Sequence, residues 1–238
     1  MTPAEILSSL FPAGHDVVAS GPLLHGAGRV DGKTTVQVLG VTDGAYLGVD
    51  EAVTLAGEVL AIAGRDDGQP ILVLVDSASQ RMSRRDELLG LSETLAHLAK
   101  VLRHAEDRGH RTIGLLYGGA AAGAFIATTL ACGVLVALPG AHPAVMDLPS
   151  MARVTKLPLD VLREKAKATP VFAPGLDNIV ATGGVTQVWD ETRPLSEQLI
   201  ALLAAPRAGD ERALLGKTRG GRPKAADIAA EVERLAHG

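Results

Sequence analysis

Residues 111–132 read Arg111-Thr-Ile-Gly-Leu-Leu-Tyr-Gly-Gly-Ala-Ala-Ala-Gly-Ala-Phe-Ile-Ala-Thr-Thr-Leu-Ala-Cys132. An apolar strand over 112–117 runs into a glycine-alanine turn. A buried helix over 123–132 follows, and its first turn carries almost no side chains. A helix start of this kind leaves backbone N–H groups unpaired, with the positive end of the dipole behind them. Gly118, Gly119, Ala120, Ala121, Ala122 and Gly123 leave the space above those groups empty, so an oxygen-rich guest can come close. The segment reads as a strand–turn–helix unit of an α/β fold with a backbone-built anion or oxyanion site at the turn.

Spacing excludes the familiar glycine-rich devices. Gly118 and Gly123 have the outer spacing of a P-loop, but Ala124 and Phe125 stand where lysine and a hydroxyl would be needed. The dinucleotide fingerprint G-x-G-x-x-G is not met. A nucleophile elbow would need serine at Ala121, and alanine cannot attack. Close packing of a helix on a sheet also accounts for such a turn. An all-backbone site survives because it asks only for small residues.

Outward from the turn, the rest of the chain fits the same architecture. Residues 71–75 form a continuous apolar run of the kind buried on both faces of a parallel sheet. Leu88, Leu91, Leu95, Leu98, Leu102 and Ala105 repeat at 3,4 spacing and predict one long helix, with Ser83 and Asp86 as its capping pattern and Gly109 as its stop. Further helices are expected over 3–10, over 50–62 with Asp50 as cap, over 158–168 and over 194–205. Strands are expected over 34–41, 134–138 and 184–189. Residues 1–33 otherwise read as a glycine-rich lead-in. Strand and helix alternate, which predicts right-handed crossovers and an α/β domain over 1–206. Residues 207–238 read as a basic linker, with Arg212, Lys217, Arg219, Arg222 and Lys224, and a C-terminal helix through Ile228, Val232 and Leu235. The charge run reads as a solvated tail, or else as a docking surface for an acidic partner.

Composition narrows the function classes. The chain has 238 residues and is 47% apolar, ample for one large core. Aromatic residues make up 3%, too few for platforms that stack bases or sugars. A net charge of −4 argues against a nucleic-acid or anionic-membrane partner. The single cysteine, Cys132, excludes an internal disulfide and reads as a small core residue. No apolar run is long enough to span a bilayer, and Glu5 and Asp16 with no basic n-region argue against a secretory signal. The expectation is a soluble, cytoplasmic protein. His97 and His104 lie off the leucine stripe with no ligand at metal spacing, so no metal site is expected.

Two strand ends matter together, 75–80 and 117–120. In the crotonase-like superfamily, two backbone N–H groups from such positions hold an acyl-thioester oxygen. The order here is similar to that plan. More specifically, Leu74-Val-Asp-Ser-Ala-Ser-Gln80, Tyr117-Gly-Gly-Ala-Ala-Ala-Gly123 and His142-Pro-Ala-Val-Met-Asp-Leu-Pro149 resemble the gamma subunits of biotin-independent malonate decarboxylases. That family is related to the second carboxyltransferase domain of biotin-dependent acyl-CoA carboxylases. The resemblance covers most of the chain and is weakest at both ends.

The resemblance implies a crotonase-like (ClpP/crotonase) α/β fold built from repeated ββα-type units, and a place in a multi-subunit lyase. In that family a transferase subunit loads malonate onto an acyl carrier protein bearing a phosphoribosyl-dephospho-CoA group. The beta and gamma subunits then decarboxylate the malonyl thioester to acetyl thioester and carbon dioxide. This chain would be gamma, with an obligate beta partner and no cofactor bound covalently by the chain itself. Gly118, Gly119 and Ala120 become the expected N–H donors, with Ser79 and Gln80 as matching candidates on the first loop. His142 is a candidate for the substrate pocket. Tyr117 either positions substrate or only finishes the strand. Arg153 and Lys156 could meet a carboxylate or a carrier phosphate. Two look-alikes fall away: Asp76-Ser77 resembles a carrier attachment pair but ends a buried strand, and Ala144-Val-Met-Asp147 has aspartate where biotinylation needs lysine. A biotin-dependent carboxyltransferase subunit, or a non-catalytic subunit that docks the carrier, remains the alternative.

Overall fold

The computed structural model describes residues 1–170, 173–207 and 209–237. Its centre is a seven-stranded sheet in the order β1-β2-β3-β4-β5-β7-β9. β1 (Val18–Ser20) and β2 (Leu23–Arg29) pair antiparallel with each other, and β2 pairs antiparallel with β3 (Thr35–Leu47). From β3 onward, β4 (Ile71–Gln80), β5 (Thr112–Leu116), β7 (Val134–Ala137) and β9 (Gln187–Val188) are parallel. A second, two-stranded parallel sheet joins β6 (Gly119–Ala121) to β8 (His142–Ala144). Each of its strands links a main-sheet strand to a helix: β5, β6 and α5 (Ala122–Ala127), then β7, β8 and α6 (Leu148–Thr155). These are the ββα units of the crotonase-like plan.

The apolar run in β4 explains the layering. Successive side chains of a strand point to opposite faces. Ile71, Val73 and Val75 enter one core with residues of α2 (Val49–Ala63), α4 (Leu91–Asp107) and α5. Leu72 and Leu74 enter the other, which holds Ile6 and Leu10 of α1 (Pro3–Leu10) and Leu195 and Leu199 of α9 (Leu195–Ala204). All five β4 residues are essentially inaccessible. At about 1.5–3 kcal/mol for each large aliphatic side chain, this strand alone is a major source of stability.

Several elements differ from their sequence expectation, each for a physical reason. The lead-in over 1–33 contains β1 and β2, an antiparallel hairpin that glycine-rich composition obscured. Asp50 does not cap α2: the cap is Gly48, whose N–H donates to Glu51 at 2.9 Å, while the Val49 N–H donates to Asp86 at 2.9 Å. Asp50 instead pairs with Arg85 on the surface. The leucine stripe is broken at Gly90, which has φ of 78°. α3 (Arg84–Leu88) precedes the break, so Leu88 is exposed and does not belong to the stripe. The helix after the glycine-alanine turn is only six residues long, ending at Ala127 rather than Cys132. β4 runs on to Gln80, so residues 76–80 are strand, not loop.

The C-terminal segment holds α10 (Arg212–Thr218) as well as α11 (Ala225–His237); Ala208 and Gly238 lie outside the described residues. Arg212 donates to the Leu130 carbonyl, and Arg219 donates to those of Val180, Val185 and Thr186. These two arginines are therefore tied to the body rather than solvated. Gly183 and Gly216 make the approach possible: a Cβ on Gly183 would lie 2.1 Å from the Arg212 carbonyl oxygen, and one on Gly216 would lie 2.4 Å from that of Thr182.

Candidate functional site

The C-terminal ends of β3, β4, β5 and β7 come together at one edge of the sheet, the usual location of sites in parallel α/β folds. The glycine-alanine turn crosses that edge. Its backbone is bound more tightly than an open helix start. The Gly119 N–H donates to Asp76 Oδ1 at 2.8 Å, and the Gly123 N–H donates to Gln80 Oε1 at 2.8 Å. The Gly118 carbonyl accepts from the His142 N–H at 3.0 Å, while Ala120 lies in the β6–β8 ladder opposite Pro143. The Gly118 N–H makes no hydrogen bond to the described residues.

Asp76 is the residue that sequence reasoning missed. Asp76 and Gln80 lie on one strand, and both accept from N–H groups of the turn. The β4 register shifts between Ser77 and Gln80, so simple alternation does not run through this stretch. The Ser79 hydroxyl donates to the Gln80 carbonyl at 3.0 Å. Ser77 is buried, and its Oγ has no hydrogen-bond partner among the described residues.

Close packing at the turn requires the glycines. A Cβ on Gly118 would lie 2.2 Å from Asp76 Oδ1. A Cβ on Gly119 would lie 2.8 Å from the Ser77 carbonyl oxygen and 3.2 Å from His142 Nε2. His142 is therefore beside the turn, with an exposed ring. Ala122 has φ of 51°, the left-handed region that non-glycine residues adopt at a cost of about 1–2 kcal/mol. Strain of this kind concentrates at functional sites.

Tyr117 points elsewhere. Its hydroxyl donates to Thr42 Oγ1 at 2.9 Å, and its ring packs on the core that holds α1 and α9. Burial, more than the nearby carboxylates, pushes the phenol up to about 12, so it stays a neutral donor. Arg153 lies in α6 and Lys156 at its end, both exposed, with Arg153 donating to Ser150. Asp147 caps α6 by accepting from the Ser150 N–H at 2.6 Å, and burial pushes the Cys132 thiol far up, leaving it inert. His97 and His104 are exposed on α4.

Gly118, Ala121, Ala122 and Gly123 are half-buried, while Gly119 and Ala120 are buried. A groove of about 740 Å³ is lined by Ile126, Leu130, Val145 and Ile179 and by no residue of the turn. Among the described residues there is no helix long and apolar enough to cross a membrane.

Comparison with known proteins adds the following. The family model of the malonate decarboxylase gamma subunit matches residues 42–236. The chain is 28% identical over 196 residues to the malonyl-S-ACP:biotin-protein carboxyltransferase MADD of Malonomonas rubra, a match that spans 74% of this chain and 67% of that protein. Among solved structures it is similar to a Pseudomonas malonate decarboxylase hetero-tetramer in complex with coenzyme A, with TM-score 0.75 and 26% identity, covering 98% of this chain and 97% of that one. The Pseudomonas MdcD-MdcE hetero-dimer matches with TM-score 0.73 and 25% identity, over 98% of both chains. Transcarboxylase 12S shares the fold, with TM-score 0.68 and 19% identity over 87% of this chain and 44% of that one.

Proposed function

The chain belongs to the malonate decarboxylase gamma-subunit family, and from that premise we propose that it forms, with a beta subunit, the site that decarboxylates a malonyl thioester held by an acyl carrier protein. The carbon–carbon bond to the carboxylate breaks and its electron pair passes into the thioester as an enolate. Carbon dioxide leaves, and the α-carbon takes up one proton to give the acetyl thioester. The negative charge starts on the carboxylate and ends on the thioester oxygen. Donors at the turn can therefore hold either the leaving carboxylate or the enolate, and only the enolate charge develops in the transition state. Preorganised donors aimed at that oxygen are each worth about 2.7–4 kcal/mol, because they act on charge present only in the transition state.

In this reading the Gly118 N–H is the backbone donor, with the free amino group of the Gln80 carboxamide as a second. Gly119 and Ala120 shape the approach instead of donating, since the Gly119 N–H already serves Asp76. His142 borders the thioester, while Ser79 and Tyr117 support the walls. Residues 1–206 carry the reaction, and 207–238 take no step in it. The carrier's phosphoribosyl-dephospho-CoA arm, the beta subunit and a loading transferase are the partners. The observation that carries the reading is the half-buried Gly118, whose N–H has no partner among the described residues, in a chain of this family.

The test is carbon dioxide release from malonyl-carrier by the chain co-purified with its beta subunit. Release by the complex and negligible release by the isolated chain are expected. An inactive complex would sink the reading. The similarity to a malonyl-S-ACP:biotin-protein carboxyltransferase supports one alternative, carboxyl transfer to biotin at the same turn. Activity that persists with avidin present favours decarboxylation without biotin, and abolition by avidin favours the transferase.

A further inference from the structure

The carboxylate of Asp76 has no part in the reaction as drawn, yet it is the hub of this edge. Oδ1 accepts from the Gly119 N–H at 2.8 Å and Oδ2 accepts from the Gly44 N–H at 3.1 Å. Gly44 and its neighbour Asp43 have φ of 59° and 62°. They form the irregularity where the β3–β4 register slips between Val41 and Ala45. One side chain thus joins two distorted backbone segments from different strands.

The 118–119 peptide is held at both ends. Its N–H donates to Asp76, and its carbonyl accepts from the His142 N–H at 3.0 Å. A peptide unit is planar, so two such bonds fix the 118–119 unit. The Gly118 N–H lies in the preceding unit, which follows a Tyr117 held by its own N–H bond to the Val75 carbonyl at 3.2 Å. Two successive glycines would otherwise be the most mobile backbone in the site. Bonds to a carboxylate are about twice as strong as neutral ones, and a carboxylate with no cation is costly to keep half-buried merely to close a turn.

We propose that Asp76 is a positioning residue for decarboxylation: by clamping Gly119 to Gly44 it aims the Gly118 N–H at the thioester oxygen. This rests on the function proposed above. The test uses Asp76→Asn and Asp76→Ala in the complex with the beta subunit. Asparagine preserves shape but keeps only one acceptor oxygen, so one of the two N–H bonds is lost. A misplaced donor predicts a fall in kcat of about 100-fold with KM changed less than about 3-fold. Amide exchange at Gly119 and Gly44 should accelerate in the same variants, which a general loss of stability would not confine to these two positions. An assembled variant with unchanged kcat, or with a rise in KM alone, overturns the proposal. Should neither variant assemble, exchange in the wild-type complex decides: slow exchange at Gly119 supports the clamp, and unprotected exchange overturns it. If the wild-type complex releases no carbon dioxide, the proposed function falls, while the exchange measurement still tests the clamp.

Discussion

The two ends of the parallel strands solve the same problem in opposite ways. At the N-terminal edge, irregular backbone is closed off by side chains. Glu106 accepts from both the N–H and the hydroxyl of Thr112, and that hydroxyl accepts from the Gly133 N–H at 2.9 Å. His110 bridges the Gln69 and Arg65 carbonyls, and buried Arg111 caps the last carbonyls of α9. At the C-terminal edge, Ala122 is strained, and among the described residues the Gly118 N–H is unpaired and Ser77 Oγ has no partner. A closed edge contributes stability. An open edge has donors left over for a guest, at a cost in stability that the closed edge must offset.

The largest effect should come from filling the open edge. Gly119→Val places a branched side chain against the Ser77 carbonyl and His142. Turnover by the complex should fall by at least about 100-fold, as for loss of an oxyanion donor or its geometry. Assembly, followed by size-exclusion chromatography, should persist. Turnover within two-fold of wild type, by the rough error of such assays, would reduce the turn to packing.

At the closed edge the expectation reverses. Glu106→Ala strips buried Thr112 of its partner and should cost about 1.5–3 kcal/mol, the range for hydrogen bonds to a charged group. For a chain of this size that lowers Tm by roughly 3–12 °C. The kcat per assembled complex should be unchanged. A fall in kcat without a fall in Tm would mean that the two edges are coupled and the contrast is false.

The difference between the edges also explains what the sequence made legible. The buried strands at 71–75 and 112–116, the leucine stripe of α4 and the position of the turn all follow from periodicity and composition, which report burial directly. The state of each N–H at the turn does not. Gly119 reads as a free donor in sequence because nothing local opposes it. Its acceptor, Asp76, lies 43 residues away on a neighbouring strand, and only the β4–β5 register brings the two together. Ser79 and Gln80 look equivalent as neighbours, but the Gln80 carboxamide accepts from the Gly123 N–H while the Ser79 hydroxyl turns back to the Gln80 carbonyl. The basic run at 212–222 reads as solvated because its acceptors are backbone carbonyls of residues 130–186, which no charge pattern encodes.

The smallest expected effect is the sharpest test of the contrast. Ser77 is 1% exposed, and its Oγ is buried without a partner among the described residues, in a strand whose first five residues are apolar. Burying a hydroxyl unpaired costs about 1–3 kcal/mol, so removing it should be neutral or stabilising by up to about 1 kcal/mol once the lost packing is counted. Ser77→Ala is therefore expected to hold or slightly raise Tm in thermal denaturation of the isolated chain. The Ser77 hydroxyl makes no bond to the turn, whereas the side chains of Asp76 and Gln80 do, so kcat of the complex should not move. A lowered Tm would mean that the hydroxyl is satisfied after all and that the C-terminal edge is as well closed as the other. A lowered kcat with Tm unchanged would instead place the unpaired hydroxyl in the chemistry, and the open edge would extend one layer deeper than the turn.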